Sequence, residues 1–192
     1  MKIDRKLNIS IPVEIGEVTY YVYSTPISRE VFERYFMVIS KTFAALYSEG
    51  LSVIAGPRVA AMLLKDMARR MGVWEGPEGV EAGLMAEIYR LTNVFMPNPD
   101  GAGWKSMPFA DVINRKLFDD DALSEIEGAI VFFMLASAMH KKTEVAGILA
   151  GMASLWGAEV TSSDFTEYRN SLPTLMTEDA TTKKVKASSI PT

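Results

Sequence analysis

The chain has 192 residues, of which 48% are hydrophobic, and a chain of this length and composition is typical of one domain with a sizeable core. Its 20 basic and 24 acidic side chains give a net charge of −4, so no positive surplus is present to neutralise a phosphate backbone, and we expect no nucleic-acid partner. Cysteine is absent, which excludes disulfides, thiolate metal sites and thiol nucleophiles and agrees with a reducing compartment.

The N-terminal sequence does not resemble a signal peptide, because the charged residues 2–6 are not followed by a long apolar segment. The longest uncharged, mostly apolar stretch near the middle covers residues 128–139, which is too short to span about 30 Å of hydrocarbon. We therefore expect a cytoplasmic protein without a membrane span.

A β-hairpin is predicted at the N-terminus, over about residues 6–24. Residues 7–11 alternate apolar with polar side chains, residues 19–23 are rich in β-forming types, and Gly16 separates the two segments.

The first predicted helix begins after Ser28, a suitable N-cap, and ends near Gly50. One helical stripe consists of large apolar residues, namely Phe32, Tyr35, Phe36, Ile39, Phe43, Leu46 and Tyr47. A second stripe flanks it and consists of Val31, Val38, Thr42 and Ala45. So wide an apolar surface predicts contacts on two sides of the helix.

Further helices are predicted along the middle of the chain. They cover residues 57–71, 80–95 and 109–117, and a last one begins at a cap supplied by Asp121 or Ser124 and ends near His140. Residues 97–108 hold three prolines and several turn formers, so we predict a loop there.

A helix over residues 145–156 is predicted to carry no charge on any side. Its large apolar residues share one face, and the opposite face holds small residues, namely Gly147, Ala150, Gly151 and Ser154. Because small residues allow close approach of another backbone, this helix is either a central core helix, which we favour, or an interface with a subunit or client.

The resulting fold class is mainly α: a helical bundle-like domain with a small N-terminal β-hairpin and a disordered C-terminal tail. Residues 1–165 form the single domain, and residues 166–192 form a polar, flexible tail with too few apolar side chains to offset the entropy of ordering.

No catalytic, cofactor or metal motif is present in the sequence. The single histidine, His140, is explained as a cation at a helix C-terminus, and residues 119–121 are an acidic helix start without the ligand spacing of a calcium loop. Residues 101–103 lack the third glycine of a dinucleotide fingerprint. We therefore predict that the protein is not an enzyme; a site assembled from scattered residues stays an open alternative.

Three stretches together resemble tail assembly chaperones of long-tailed, siphovirus-like bacteriophages. They are the hairpin, the helix entry at residues 25–32 (TPISREVF) and the segment at residues 166–173 (TEYRNSLP). The resemblance implies a protein that binds the tape-measure protein and recruits tail-tube subunits in the host cytoplasm, and that is absent from the mature virion. Such chaperones are often made in two lengths by ribosomal frameshifting, and this chain would be the short form.

Adaptable apolar surface is what this function requires, and the 12 methionines suit either core gaps or such a surface. The candidate protein-binding residues belong to two faces, namely Val31, Val38 and Ala45 on the first helix and Gly147, Ala150, Gly151 and Ser154 on the uncharged one. Two alternatives stay open: a homo-oligomer, and a permanent structural subunit of the phage tail or of the head–tail connector.

Overall fold

The computed structural model describes residues 2–4, 8–48, 56–98, 103–140, 144 and 162–163. The strands are β1 (Lys2–Asp4), β2 (Ile9–Ile15), β3 (Val18–Ser24), β4 (Thr92–Pro97), β5 (Trp104–Pro108) and β6 (Ser162–Ser163). The helices are α1 (Arg29–Arg34), α2 (Phe36–Ser48), α3 (Ala60–Arg70), α4 (Ala86–Arg90), α5 (Phe109–Asn114) and α6 (Asp120–Met139). A 3-10 turn (Gly56–Val59) precedes α3, and a π-helical turn (Val80–Met85) precedes α4.

The strands form one sheet in the order β5-β4-β3-β2-β1-β6. Neighbouring strands from β5 to β1 are antiparallel, and the short β6 is parallel to β1. The pairing of Ile15 with Val18 leaves a two-residue loop between β2 and β3. Gly16 begins that loop with a φ of 62°, in the left-handed region that glycine adopts most easily.

The fold-class prediction of a mainly α protein with a small hairpin is wrong: the protein is mixed α/β with a central antiparallel sheet. The predicted hairpin exists as β2 and β3, but β4 pairs with β3, and β5 extends the sheet further. Residues 92–95 were expected to continue a helix, and residues 104–108 were expected to lie in a loop. Local spacing could not reveal these strands, because the β3–β4 pairing joins residues about 70 positions apart, such as Val22 and Val94.

Thr92 marks the point where α4 gives way to β4. Its Oγ1 donates to the carbonyl of Ile88, 2.8 Å away, and lies 2.8 Å from the hydroxyl of Ser24 at the end of β3. Ser24 and Thr92 are both fully buried, so water cannot reach their hydroxyls, and each hydroxyl serves as a hydrogen-bond partner for the other. The helix therefore ends where its last turn is tied to the sheet.

One face of the sheet packs against the helices. Val22, Val94 and Met107 lie opposite one another on adjacent strands, are buried, and belong to the same hydrophobic cluster as α2, α3 and α6. The central helix is α6, in which the seven consecutive residues 130–136 are buried. Burial on every side is expected of a helix that is surrounded by other elements.

By length and composition, α6 is also the one helix among the described residues that could cross a membrane. Half of its most apolar 18-residue segment is buried inside the protein. The core helix of a protein outside the membrane has the same composition.

Helix boundaries agree with the sequence in part. The second predicted helix is present as the 3-10 turn and α3, and it is followed by Gly72 with a φ of 67°. The first is divided at Tyr35, whose hydroxyl donates to the carbonyls of Glu78 and Gly79 at 3.3 and 3.4 Å. The long helix α6 has His140 as its C-cap, but its N-cap is Asp119, two residues before the predicted Asp121.

The helix predicted over residues 145–156 and the tail predicted over residues 166–192 lie outside the described residues.

Candidate functional site

The helix α2 has one buried side and one exposed apolar side. Its buried residues, with the preceding Tyr35, are Tyr35, Val38, Ile39, Thr42 and Leu46. On the opposite side, Phe36 is 46% exposed and Met37 is 56% exposed. Exposure of two large apolar side chains in succession is unusual for a helix that packs on a core, so this side is a candidate contact for another molecule.

We call this side the α2 outer face and define it by Phe36, Met37, Ser40 and Ala44 on α2 together with the half-buried Phe32 on α1. The rings of Phe32 and Phe36 form an edge-to-face pair with centroids 5.6 Å apart. The hydroxyl of Ser40 donates to the carbonyl of Phe36, 2.6 Å away, so its proton is satisfied within the helix. Ala44 is small and exposed, and it leaves room for the close approach of a second helix.

Two ion pairs lie on α1, the helix that carries Phe32 and precedes α2. Arg29 Nε lies 2.6 Å from Glu33 Oε1, and Arg34 Nη2 lies 3.3 Å from Glu30 Oε1. The hydrogen bond that Arg29 donates to the carboxylate of Glu33 raises the pKa of Arg29. All four side chains are largely exposed, so these pairs add little stability. An apolar centre with a charged rim is the usual composition of a protein–protein contact.

The predicted binding residues fall in different places. Val31 and Ala45 are half-buried, whereas Val38 is only 3% exposed and belongs to the core. Gly147, Ala150, Gly151 and Ser154 lie outside the described residues.

Sequence reasoning missed Met37 and Ala44 and placed Phe36 on the stripe of large apolar residues. Apolar side chains surround most of α2, so the pattern signalled two contact surfaces without showing which one the core occupies.

The outer face of the sheet is a second aromatic surface. Tyr21 and Trp104 form an edge-to-face pair with centroids 5.2 Å apart, and Tyr23 and Phe95 form another at 6.2 Å. Burial and the nearby Glu14 raise the pKa of Tyr21. These four side chains are each half-buried, so they expose less apolar area than Phe36 and Met37.

A cleft of about 420 Å³ lies between α3, the π-helical turn, α4 and the start of α6. Its lining combines apolar and charged side chains, among them Met62, Lys65, Trp74, Glu81, Tyr89 and Glu127. The hydroxyl of Tyr89 donates to Glu127 Oε1, 2.7 Å away. Burial, that hydrogen bond and the charges of Glu127 and Glu81 hold the pKa of Tyr89 well above its usual range.

No arrangement for catalysis is evident in the part of the chain that the structure describes. His140 Nδ1 lies 4.0 Å from Glu144 Oε2, its ring contacts Phe43, and it does not line the cleft. Within the same residues, no group of three or more histidine, aspartate or glutamate side chains could hold a metal ion. Asp119 accepts a hydrogen bond from the backbone N–H of Ala122 and serves as a helix cap.

Comparison of the chain with protein-family models, with curated proteins and with solved structures finds no match.

Proposed function

We propose that this protein binds another protein through the α2 outer face and acts as a tail assembly chaperone of long-tailed bacteriophages. The observation that carries the proposal is the exposure of Phe36 and Met37 side by side on a helix whose other side is in the core. Isolated apolar side chains on a surface need no explanation, but two large ones exposed on consecutive residues of one helix, one of them in a ring pair with Phe32, favour a contact.

A long helical client fits this surface by its shape and chemistry. A tape-measure protein presents an apolar stripe along a helix, and the α2 outer face offers the exposed side chains of Phe36 and Met37 with the small Ser40 and Ala44 near them. The flexible thioether of Met37 adapts to clients whose side chains differ along their length. The α2 outer face can therefore bind client helices whose side-chain patterns differ.

The wider assignment follows the resemblance. The chaperone holds the tape-measure protein in the host cytoplasm, helps to recruit tail-tube subunits, and leaves before the particle is complete. Its presence in purified mature particles, measured by mass spectrometry, would contradict this assignment and would favour a structural subunit.

The test is co-expression with the client that this proposal implies, a phage tape-measure protein, followed by co-purification. Replacing Met37 with glutamate (Met37→Glu) places a charge in the centre of the α2 outer face, and we expect binding to weaken by at least about tenfold. The matched control is Leu117→Glu, which adds the same charge at a site that is 41% exposed and lies off this face. We expect this control to bind as the unmodified protein does.

Circular dichroism must show that both variants fold. A folded Met37→Glu protein that retains the client, or a Leu117→Glu protein that loses it equally, would show that the α2 outer face is not the binding surface.

A further inference from the structure

Tyr35 marks a break in a segment whose sequence favours one continuous helix. Residues 28–49 have a helical period of apolar side chains and contain neither glycine nor proline. In the structure, however, α1 ends at Arg34 and α2 begins at Phe36, and Tyr35 between them has a φ of −105° and a ψ of 16°. Because the local sequence does not explain the break, a contact with another part of the fold must produce it.

The end of α1 is tied to the loop that precedes the π-helical turn. The side chain of Tyr35 is only 8% exposed, and its hydroxyl lies 3.3 and 3.4 Å from the carbonyl oxygens of Glu78 and Gly79. Beside it, Arg34 Nη1 lies 3.8 Å from Glu78 Oε2, in an ion pair that is largely exposed. The buried tyrosine is therefore the main connection between α1 and this loop.

Gly83 leaves the space that the hydroxyl of Tyr35 occupies. A Cβ atom at position 83 would overlap the hydroxyl oxygen and would lie 2.7 Å from Cζ of the same ring. The φ of Gly83 is not positive, so the backbone there could accommodate another residue type and the constraint comes from the tyrosine. We call the carbonyls of Glu78 and Gly79, together with Gly83, the Tyr35 seat.

Hydrogen bonds fix the loop that carries the Tyr35 seat. The N–H of Val80 donates to the carbonyl of Val73 at 2.9 Å, and the N–H of Glu81 donates to the carbonyl of Trp74 at 3.1 Å. Val80 and Trp74 are also buried in the core. Since both ends of the loop are held in this way, its carbonyls form a fixed point to which Tyr35 can bind.

The break at Tyr35 lies within the α2 outer face. Phe32 on α1 and Phe36 on α2 form their edge-to-face pair across it, at an interplanar angle of 88°. No residue of α1 is fully buried, and Phe32 is only half-buried. The position of α1, and with it the position of Phe32, therefore depends strongly on the contacts that Tyr35 makes.

We propose that Tyr35 is a positioning residue: its contact with the Tyr35 seat sets the break between α1 and α2 and thereby holds Phe32 against Phe36. The ring pair is then in place before another molecule arrives, which reduces the entropy that binding must cost. The proposal rests on the proposed function in one respect, namely that the α2 outer face is the surface that binds the client.

The first experiment uses Gly83→Ala in the full chain with labelled phenylalanine rings. The added methyl group displaces the hydroxyl of Tyr35, so we expect the nuclear Overhauser effect between Phe32 and Phe36 to weaken by at least about twofold. The matched control is Ala82→Gly, which changes an exposed residue of the same turn and should leave this signal unchanged. A folded Gly83→Ala protein with an unchanged signal, or an equal loss in the control, would overturn the proposal.

The second experiment uses Tyr35→Phe, which keeps the buried ring and removes only the hydroxyl. The N–H of residue 35 donates to the carbonyl of Val31 at 3.1 Å, and we expect this amide to exchange with solvent at least about threefold faster when α1 is released. Tyr89→Phe is the control, because it removes a hydroxyl that bonds to Glu127 on α6. Equal exchange in the unmodified protein and in Tyr35→Phe would overturn the proposal.

Neither experiment contains a client, so neither depends on the proposed function. With a tape-measure protein that binds the unmodified chain, we expect Gly83→Ala to weaken binding by about three- to tenfold and Ala82→Gly to have no effect. Unchanged binding by Gly83→Ala would show that the seat does not position the binding surface. If the unmodified chain does not bind, the proposed function fails, while the two measurements above still decide whether Tyr35 positions Phe32.

Discussion

Tyr89 shows how a single side chain connects burial, charge and stability. It lies between the helical layer and the cleft, packs on Phe109 and donates to Glu127. Ionisation of its hydroxyl would place a negative charge beside two carboxylates in a partly dry site, and for this reason its pKa is raised in the folded protein.

The raised pKa of Tyr89 predicts a loss of stability at alkaline pH. Below about pH 10, Tyr89 is neutral in both states; above it, the unfolded chain releases the proton while the folded protein keeps it. The free energy of unfolding should then fall by up to about 1.4 kcal/mol per pH unit from this group alone.

The measurement is urea unfolding between pH 8 and pH 11, with Tyr89→Phe as the comparison. The variant retains the ring but not the titrating hydroxyl, so its stability should decline less steeply over this range. Equal slopes for the two proteins would mean that Tyr89 ionises normally in the folded state.

At the scale of elements, the start of α6 illustrates a local signal that sequence reasoning found but misplaced. Three consecutive aspartates stand at the start of the helix, and the first of them, Asp119, has extended backbone angles and accepts from the N–H of Ala122 at 2.8 Å. Asp120 and Asp121 lie in the first turn, where negative charge interacts favourably with the helix dipole.

Removal of the cap should therefore cost more than removal of a neighbouring charge. We expect Asp119→Ala to lower the free energy of unfolding by about 1 kcal/mol, because the N–H of Ala122 loses its acceptor, and Asp120→Ala to lower it by only about 0.3–0.5 kcal/mol. Urea unfolding at neutral pH measures both. A larger loss of stability for Asp120→Ala than for Asp119→Ala would show that Asp119 is not the residue that caps the helix.

The helix α2 illustrates a signal that local reasoning cannot resolve. The sequence predicted contacts on two sides of the helix, but the buried side in the structure combines residues of both predicted stripes, since the assignment to core and surface depends on what packs on the helix. In the structure, Val38 and Ile39 face the core, and Met37 faces outwards. A rotation of the helix by one residue exchanges these positions, and nothing in residues 28–50 fixes that rotation.

At the scale of the whole molecule, one hydrophobic cluster joins the sheet to the helices. It includes Val22 and Val94 from the sheet together with Ile39, Leu64 and Ile130 from α2, α3 and α6. Because each layer covers the apolar side of the other, neither should be stable alone.

This shared core predicts a single cooperative unfolding transition. Trp74 reports on the helical layer and Trp104 on the sheet, so two variants that each retain one of them as the only tryptophan allow separate observation. The other tryptophans are replaced by phenylalanine. In each variant, the fluorescence transition should have the same urea midpoint as the transition measured by circular dichroism. Different midpoints for fluorescence and circular dichroism in either variant would indicate that the layers unfold separately.

The sequence by itself determined the features that depend on neighbouring residues. Alternation and Gly16 predicted the β2–β3 hairpin, and Ser28 predicted a helix start. Capping, turn geometry and hydrophobic period act over a few residues, so they can be recognised in the chain.

Only the tertiary structure decided the sheet, the rotation of α2 and the composition of the cleft. The β3–β4 pairing and the hydrogen bond of Tyr89 with Glu127 join segments that are distant in the chain. The exposure of Met37 depends on which distant segments pack against α2. Their free energy comes from burial and hydrogen bonds that exist only after folding, so no local pattern records them.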